Sequence, residues 1–149
     1  MKQEMGLVLT VVLATIFYSL FEIFASRAGK HIDANLSSVF FNGVGALLPL
    51  VVYSYLRARD SIGIATTRSG VLFSLLAGIS IAIFSVLLIK AFEKGGLSYI
   101  IPVIYGGSIL ISSLAGWLIY KEHIGVVGGV GVLVILVGIV LVVVSKFQS

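Results

Sequence analysis

No cysteine stands anywhere in the chain, so disulfides, thiolate metal sites and cysteine nucleophiles are excluded. Charge is nearly as scarce. Asp, Glu, Lys and Arg make up 11% of the residues, against roughly 25% in a soluble domain, which leaves too little polar side chain to cover a water-facing surface. Catalytic signatures are missing too: there is no nucleophile elbow, phosphate loop or paired-carboxylate pattern. Gly106 and Gly107 follow no strand and precede no suitably spaced Lys. His31 and His123 each stand alone, without a second ligand at metal spacing. Neither an enzyme, nor a metal site, nor a cofactor is expected.

What the chain has is hydrocarbon. Of 149 residues, 59% are hydrophobic, and the mean hydropathy is +1.18. Five apolar runs stand out, at 5–26, 34–56, 69–89, 95–120 and 124–145. About 20 apolar residues rising 1.5 Å each cross a hydrocarbon core of about 30 Å. Within lipid each backbone N–H and C=O must be paired inside its own segment, so the runs are helices rather than strands. The first run is longer than the apolar core of a signal peptide, about 7–15 residues, and is expected to be a retained helix. The connections are short and charged, leaving no room for a soluble module. Pro49 and Pro102 fall inside runs, where each removes one backbone hydrogen bond. The expected fold class is all-α: a polytopic membrane protein with a bundle of five transmembrane helices, integral to the plasma or inner membrane.

The net charge of +4 comes from ten Lys and Arg lying between the apolar runs. That is where helix ends meet lipid headgroups, so nucleic acid is not an expected partner. Five spans put the termini on opposite sides of the membrane. The N-terminal side carries Lys2, Arg57, Arg59, Arg68 and Lys121; the other carries Arg27, Lys30, Lys90, Lys94 and Lys146. Orientation follows an excess of positive residues on the cytoplasmic side, and here there is none. Either one early loop or the 57–68 cluster decides, or the chain inserts both ways up. Two oppositely inserted copies reproduce the inverted repeats of larger transporters, whose sites lie at the repeat interface.

Glu22 is the single charge inside any of the five runs. A buried carboxylate must be paired, hydrated or protonated, and acids within the membrane are candidates for ion or proton handling. The alternative is a helix-end ion pair with Lys90 or Arg27. Tyr18 and Ser19, four and three residues earlier, share its face. Asn42, Ser85, Tyr105 and Ser108 fall at similar depth on other runs. Together they form either a solute- and proton-binding layer or a structural hydrogen-bond network. The last run has no polar side chain from 124 to 144, and carries Gly125, Gly129, Gly131 and Gly138. Gly125 and Gly129 make a small-xxx-small pattern for close helix approach, within one protomer or between two.

Three stretches carry a family resemblance: AFEKGGLSYIIP at 91–102, GWLIYKE at 116–122 and GVLVILVG at 131–138. They resemble the third-to-fourth helix junction, the end of the fourth helix and the final helix of the drug/metabolite transporter superfamily. The match is best over 70–146. The whole chain, 1–149, looks like a single EamA-type half, where most relatives carry two. It also resembles the four-helix small multidrug resistance transporters, which work as antiparallel homodimers. Their embedded Glu and a Lys eight residues later are echoed by Glu22 and Lys30, although one helix must be inserted to align the rest. The Trp-Gly pair usual in the first EamA-type helix is replaced here by Tyr18 and Ser19.

The resemblance implies a secondary transporter of small organic solutes, working by proton-coupled exchange and alternating access. The substrate is a small molecule, a cation being one option, with protons and membrane lipid as further partners. An antiparallel homodimer or a pair with a sister chain is implied, packed through the glycines of the final helix. A flippase subunit for a lipid-linked metabolite and a non-transporting membrane interaction protein are the alternatives.

Overall fold

The computed structural model describes residues 2–59 and 67–147, with side chains described for 6–59 and 67–146. Most of the expected 57–68 connection, and the side chain of Lys2, therefore lie outside the described residues. Five helices follow one another: α1 (Lys2–Ala28), α2 (Ala34–Ala58), α3 (Arg68–Lys94), α4 (Leu97–Leu118) and α5 (Val126–Phe147). All five are long and apolar enough to cross a membrane. No strand occurs among the described residues.

The helices do not end where the apolar runs end. α3 continues through Lys90, Glu93 and Lys94 and stops at the Gly95–Gly96 pair, which alone links it to α4. Charges mark the edge of hydrocarbon, but Lys and Glu are good helix formers in water. Gly, with its high conformational entropy, is what breaks the helix. α4, in contrast, stops short of the apolar edge. Beyond it the Tyr120 N–H reaches Ala115 O and the Glu122 N–H reaches Gly116 O. Lys121 between them takes the left-handed conformation at φ 54°, as residues just past a helix end often do. Pro49 and Pro102 lie inside α2 and α4 without ending either.

Contacts divide the chain into two compact units, Met1–Lys94 and Gly95–Ser149. In the first, α3 packs against both α2 and α1. The buried residues collect at one end of it. They are Glu22, Ala25 and Gly29 from α1 and the turn after it, Ala34, Ser37 and Ser38 from α2, and Ser85, Leu88, Ile89 and Phe92 from α3. Toward the other end, residues 6–20, 43–55 and 67–83 are all exposed. Gly29 explains the tight end. A Cβ there would lie 3.2 Å from the Ile89 carbonyl oxygen and 3.1 Å from its Cγ2, so the missing side chain lets the α1–α2 turn sit directly on α3. In the second unit α4 packs on α5, with Gly106 leaving the space that the Ile139 side chain fills.

The α1–α2 turn is fixed by Asp33. Its carboxylate accepts from the N–H groups of Asn35 (2.8 Å) and Leu36 (3.2 Å), capping α2. The bonds from Leu36 and then Asn35, with a smaller contribution from the charge of Lys90, hold this carboxyl below its ordinary value of 3.8. A folded value below the unfolded one means that the cap stabilises fully above 3.8 and fades as pH falls through the lower value. Asp33→Asn, which caps without titrating, is expected to lose less thermal stability than wild type on acidification below pH 3.8. Asp33→Ala should be less stable at neutral pH. Parallel melting curves of wild type and both variants against pH check this.

Candidate functional site

The packed end of the first unit is where its polar side chains meet. Glu22 is 8% exposed and lies six residues before the end of α1, which is about 9 Å at 1.5 Å per residue. An acid at this depth costs a few kcal/mol to insert, so its burial is a strong constraint on the neighbouring helices. Ser85 of α3 is 1% exposed, and Ser37 and Ser38 of α2 are equally enclosed. Asn42 is half-buried, eight residues into α2, or about 12 Å.

Asn42 ties α2 to α3. Its Nδ2 donates to the Ser85 hydroxyl at 3.0 Å and to the Ser38 carbonyl at 2.8 Å. Ser85 donates in turn to Ala82 O (2.8 Å), and Ser38 Oγ to Ala34 O (2.7 Å). The direction of each bond follows from chemistry. A carbonyl only accepts, so the nitrogen of the Asn42 amide must face Ser38; the Ser85 hydrogen is taken by Ala82, so its oxygen accepts from Asn42. Asn35, Ser38, Asn42, Ile81, Ser85 and Val86 are among the residues lining a groove of about 500 Å³ between the two helices.

A second groove, of about 380 Å³, runs between α1 and α2 and is largely aromatic. Phe21, Phe24, Phe40 and Phe41 line it, with Ser37 as its polar member. Phe21 and Phe41 meet edge to face at 5.1 Å, and Tyr18 stacks obliquely on Phe21 at 5.9 Å. Tyr18 is therefore tied to the aromatic wall, one turn from Glu22. Ser19 is exposed.

The remaining expected residues fall elsewhere. Lys90 is exposed near the end of α3, and its charge is felt by Asp33. Tyr105, half-buried, and Ser108, exposed, belong to α4 in the second unit. A Cβ at Gly125, Gly129, Gly131 or Gly138 meets nothing within 4 Å. The close approach of α4 to α5 falls at Gly106 instead. Ser38 and Gly29 were not singled out by sequence. Ser38 has a legible signal, four residues before an intramembrane Asn, but Gly29 sits in what reads as an ordinary turn.

Five membrane-length helices, with a buried carboxylate and a hydrogen-bonded polar groove among them, define an integral membrane protein with solute-sized space inside one unit. Over residues 5–144 the chain matches the model of the EamA-like transporter family, and it belongs to that family. Membership supports a membrane transporter of small solutes rather than an enzyme. Comparison with curated proteins and with solved structures found no match.

The Asn42–Ser85 bond is the testable joint of this site. A double-mutant cycle with Asn42→Ala and Ser85→Ala, read by reversible unfolding in micelles, is expected to show a coupling of about 0.6 kcal/mol and at most about 1.7. Additive effects of the two substitutions would show that the bond does not form.

Proposed function

We propose that the protein is a secondary transporter that exchanges small organic solutes for protons, working as a dimer by alternating access. One observation carries the reading: a carboxylate, Glu22, is buried in the same packed end of the first unit as the Asn42–Ser85 groove. Hydrocarbon makes a fixed charge costly, so a carboxylate kept there suits a group that changes partners during a cycle. Proton and solute competing for one site is the simplest coupling. Binding either one excludes the other, and each conformational change then carries one of them across.

In this reading Glu22 binds the proton or the solute, and Asn42 holds the solute. Tyr18 and Ser19 line the approach on α1, while Lys90 supplies a balancing charge at the helix end. Tyr105 and Ser108 are the polar candidates of α4, within the second unit. The dimer packs through α5, where Gly125, Gly129, Gly131 and Gly138 leave open space for another helix. The even split of Lys and Arg between the two sides supports an antiparallel pair.

Proteoliposomes with a pH dye inside, challenged with a panel of small organic solutes, test the coupling. Wild type should release or take up protons with solute, and Glu22→Gln should lose this while its dimer still runs at the same size. Undiminished proton movement in Glu22→Gln would reject the role of Glu22. Solute movement absent from wild type itself would favour a non-transporting interaction protein.

A further inference from the structure

The groove between α2 and α3 has a polarity that its composition does not show. Asn42, Ser38 and Ser85 are amides and hydroxyls, able in principle to donate and accept. In the folded chain every one of their donor hydrogens is engaged. The two amide hydrogens of Asn42 go to Ser38 O and Ser85 Oγ. The hydroxyl hydrogens go to Ala34 O and Ala82 O. What is left is acceptor capacity. Among the described residues, no donor reaches the carbonyl oxygen of Asn42. Nor is any described side-chain oxygen both sealed from space and unpartnered, so this oxygen is accessible, on a residue that lines the groove.

No Lys or Arg lines the groove. Its other polar member is Asn35, exposed at the rim one residue into α2. Below that rim the walls are apolar, formed by Val39, Ile81, Ala82 and Val86. A carboxylate or phosphate entering would lose water and meet only oxygen and hydrocarbon, a costly desolvation. A head group carrying N–H donors regains a hydrogen bond at the Asn42 carbonyl.

We propose that Asn42 sets the specificity of the groove by presenting a lone carbonyl acceptor. The groove therefore selects solutes with an N–H-bearing head on a short apolar body, and disfavours both anions and quaternary ammonium ions. The quaternary case is the sharp one, because it keeps the charge and lacks the hydrogen. The claim deepens the transporter reading by naming its substrate class, and it rests on that reading for the purpose of the groove. Binding, however, is measurable without transport, so the two fail separately. A protein that binds these amines and moves nothing would remove the transporter reading alone.

Ser85→Ala is the diagnostic variant. It removes the acceptor of one Asn42 hydrogen while the Ser38 carbonyl still holds the other. The groove then gains a free N–H and should begin to admit anions. Asn42→Leu removes both polar ends.

The probes are n-butylammonium, n-butyltrimethylammonium and butyrate at neutral pH. Each is titrated against the full chain in nanodiscs by saturation-transfer NMR, with empty nanodiscs as the blank. Wild type should prefer butylammonium over its trimethyl form by about tenfold or more, the value of one hydrogen bond to a charged donor, and butyrate should not exceed the blank. Ser85→Ala should raise butyrate binding, and Asn42→Leu should abolish the preference between the two ammonium ions. Helicity and elution volume show that each variant is folded. Equal binding of the two ammonium ions by wild type overturns the proposal. So does butyrate binding as strong as that of the amine, or no butylammonium binding above the blank.

Discussion

Hydrocarbon offers no hydrogen-bond partner, and the architecture of the first unit answers to that fact. A carboxamide some 12 Å from a helix end must find its partners in protein. Asn42 finds one on its own helix and one on α3. That second partner fixes which face of α2 meets which face of α3. It also fixes the direction of every bond in the chain from Ala34 to Ala82. Glu22 obeys the same rule more severely, as a group that carries charge when ionised. Its burial at the packed end is a costly arrangement for an acid within a membrane, and therefore one in need of a functional reason.

Packing serves this polar end. Gly29 lets the turn between α1 and α2 rest on the backbone of α3, and Asp33 caps the helix that begins at the next residue. The turn is held from both sides, and the enclosed serines lie directly beyond it. The opposite ends of the same three helices bury nothing among the described residues. The first unit therefore has a tight end closed over its polar residues and a loose end whose described residues are exposed. The second unit is built on different terms, with hydrocarbon against hydrocarbon and one glycine–isoleucine fit at Gly106.

The five spans were legible because they depend on composition and length alone, the quantities a sequence displays most directly. The family was legible from three short stretches in the right order. Helix ends were less so. Lys90 marks the edge of hydrocarbon, yet α3 runs on to Lys94 because water supports a helix of Lys and Glu as well as lipid supports one of Leu. The candidate site was legible as a depth: Glu22, Asn42 and Ser85 could be placed in one layer by counting residues from the charged ends. Its wiring was not. Which face of α2 meets α3, and hence that Ser38 and Ser85 share the Asn42 amide, depends on a rotation that a nearly all-apolar helix does not record. Gly29 and Gly106 went unmarked for the same reason, since 17 glycines give no sign of which are pressed against another helix.

The central claim is that the Asn42 amide is held by both of its hydrogens, one on its own helix and one on α3. The chain has two asparagines, Asn35 at the exposed start of α2 and Asn42 within it. Asparagine-selective ¹⁵N labelling therefore yields two side-chain NH₂ pairs, one serving as the internal reference for the other. Exchange of these hydrogens with water, measured by NMR in lipid nanodiscs, addresses the claim directly. Both Asn42 hydrogens should exchange at least about tenfold more slowly than those of Asn35, whose side chain reaches Asp33 but is exposed to water, as enclosed hydrogen-bonded groups do. Exchange of either Asn42 hydrogen as fast as the Asn35 pair would contradict the account.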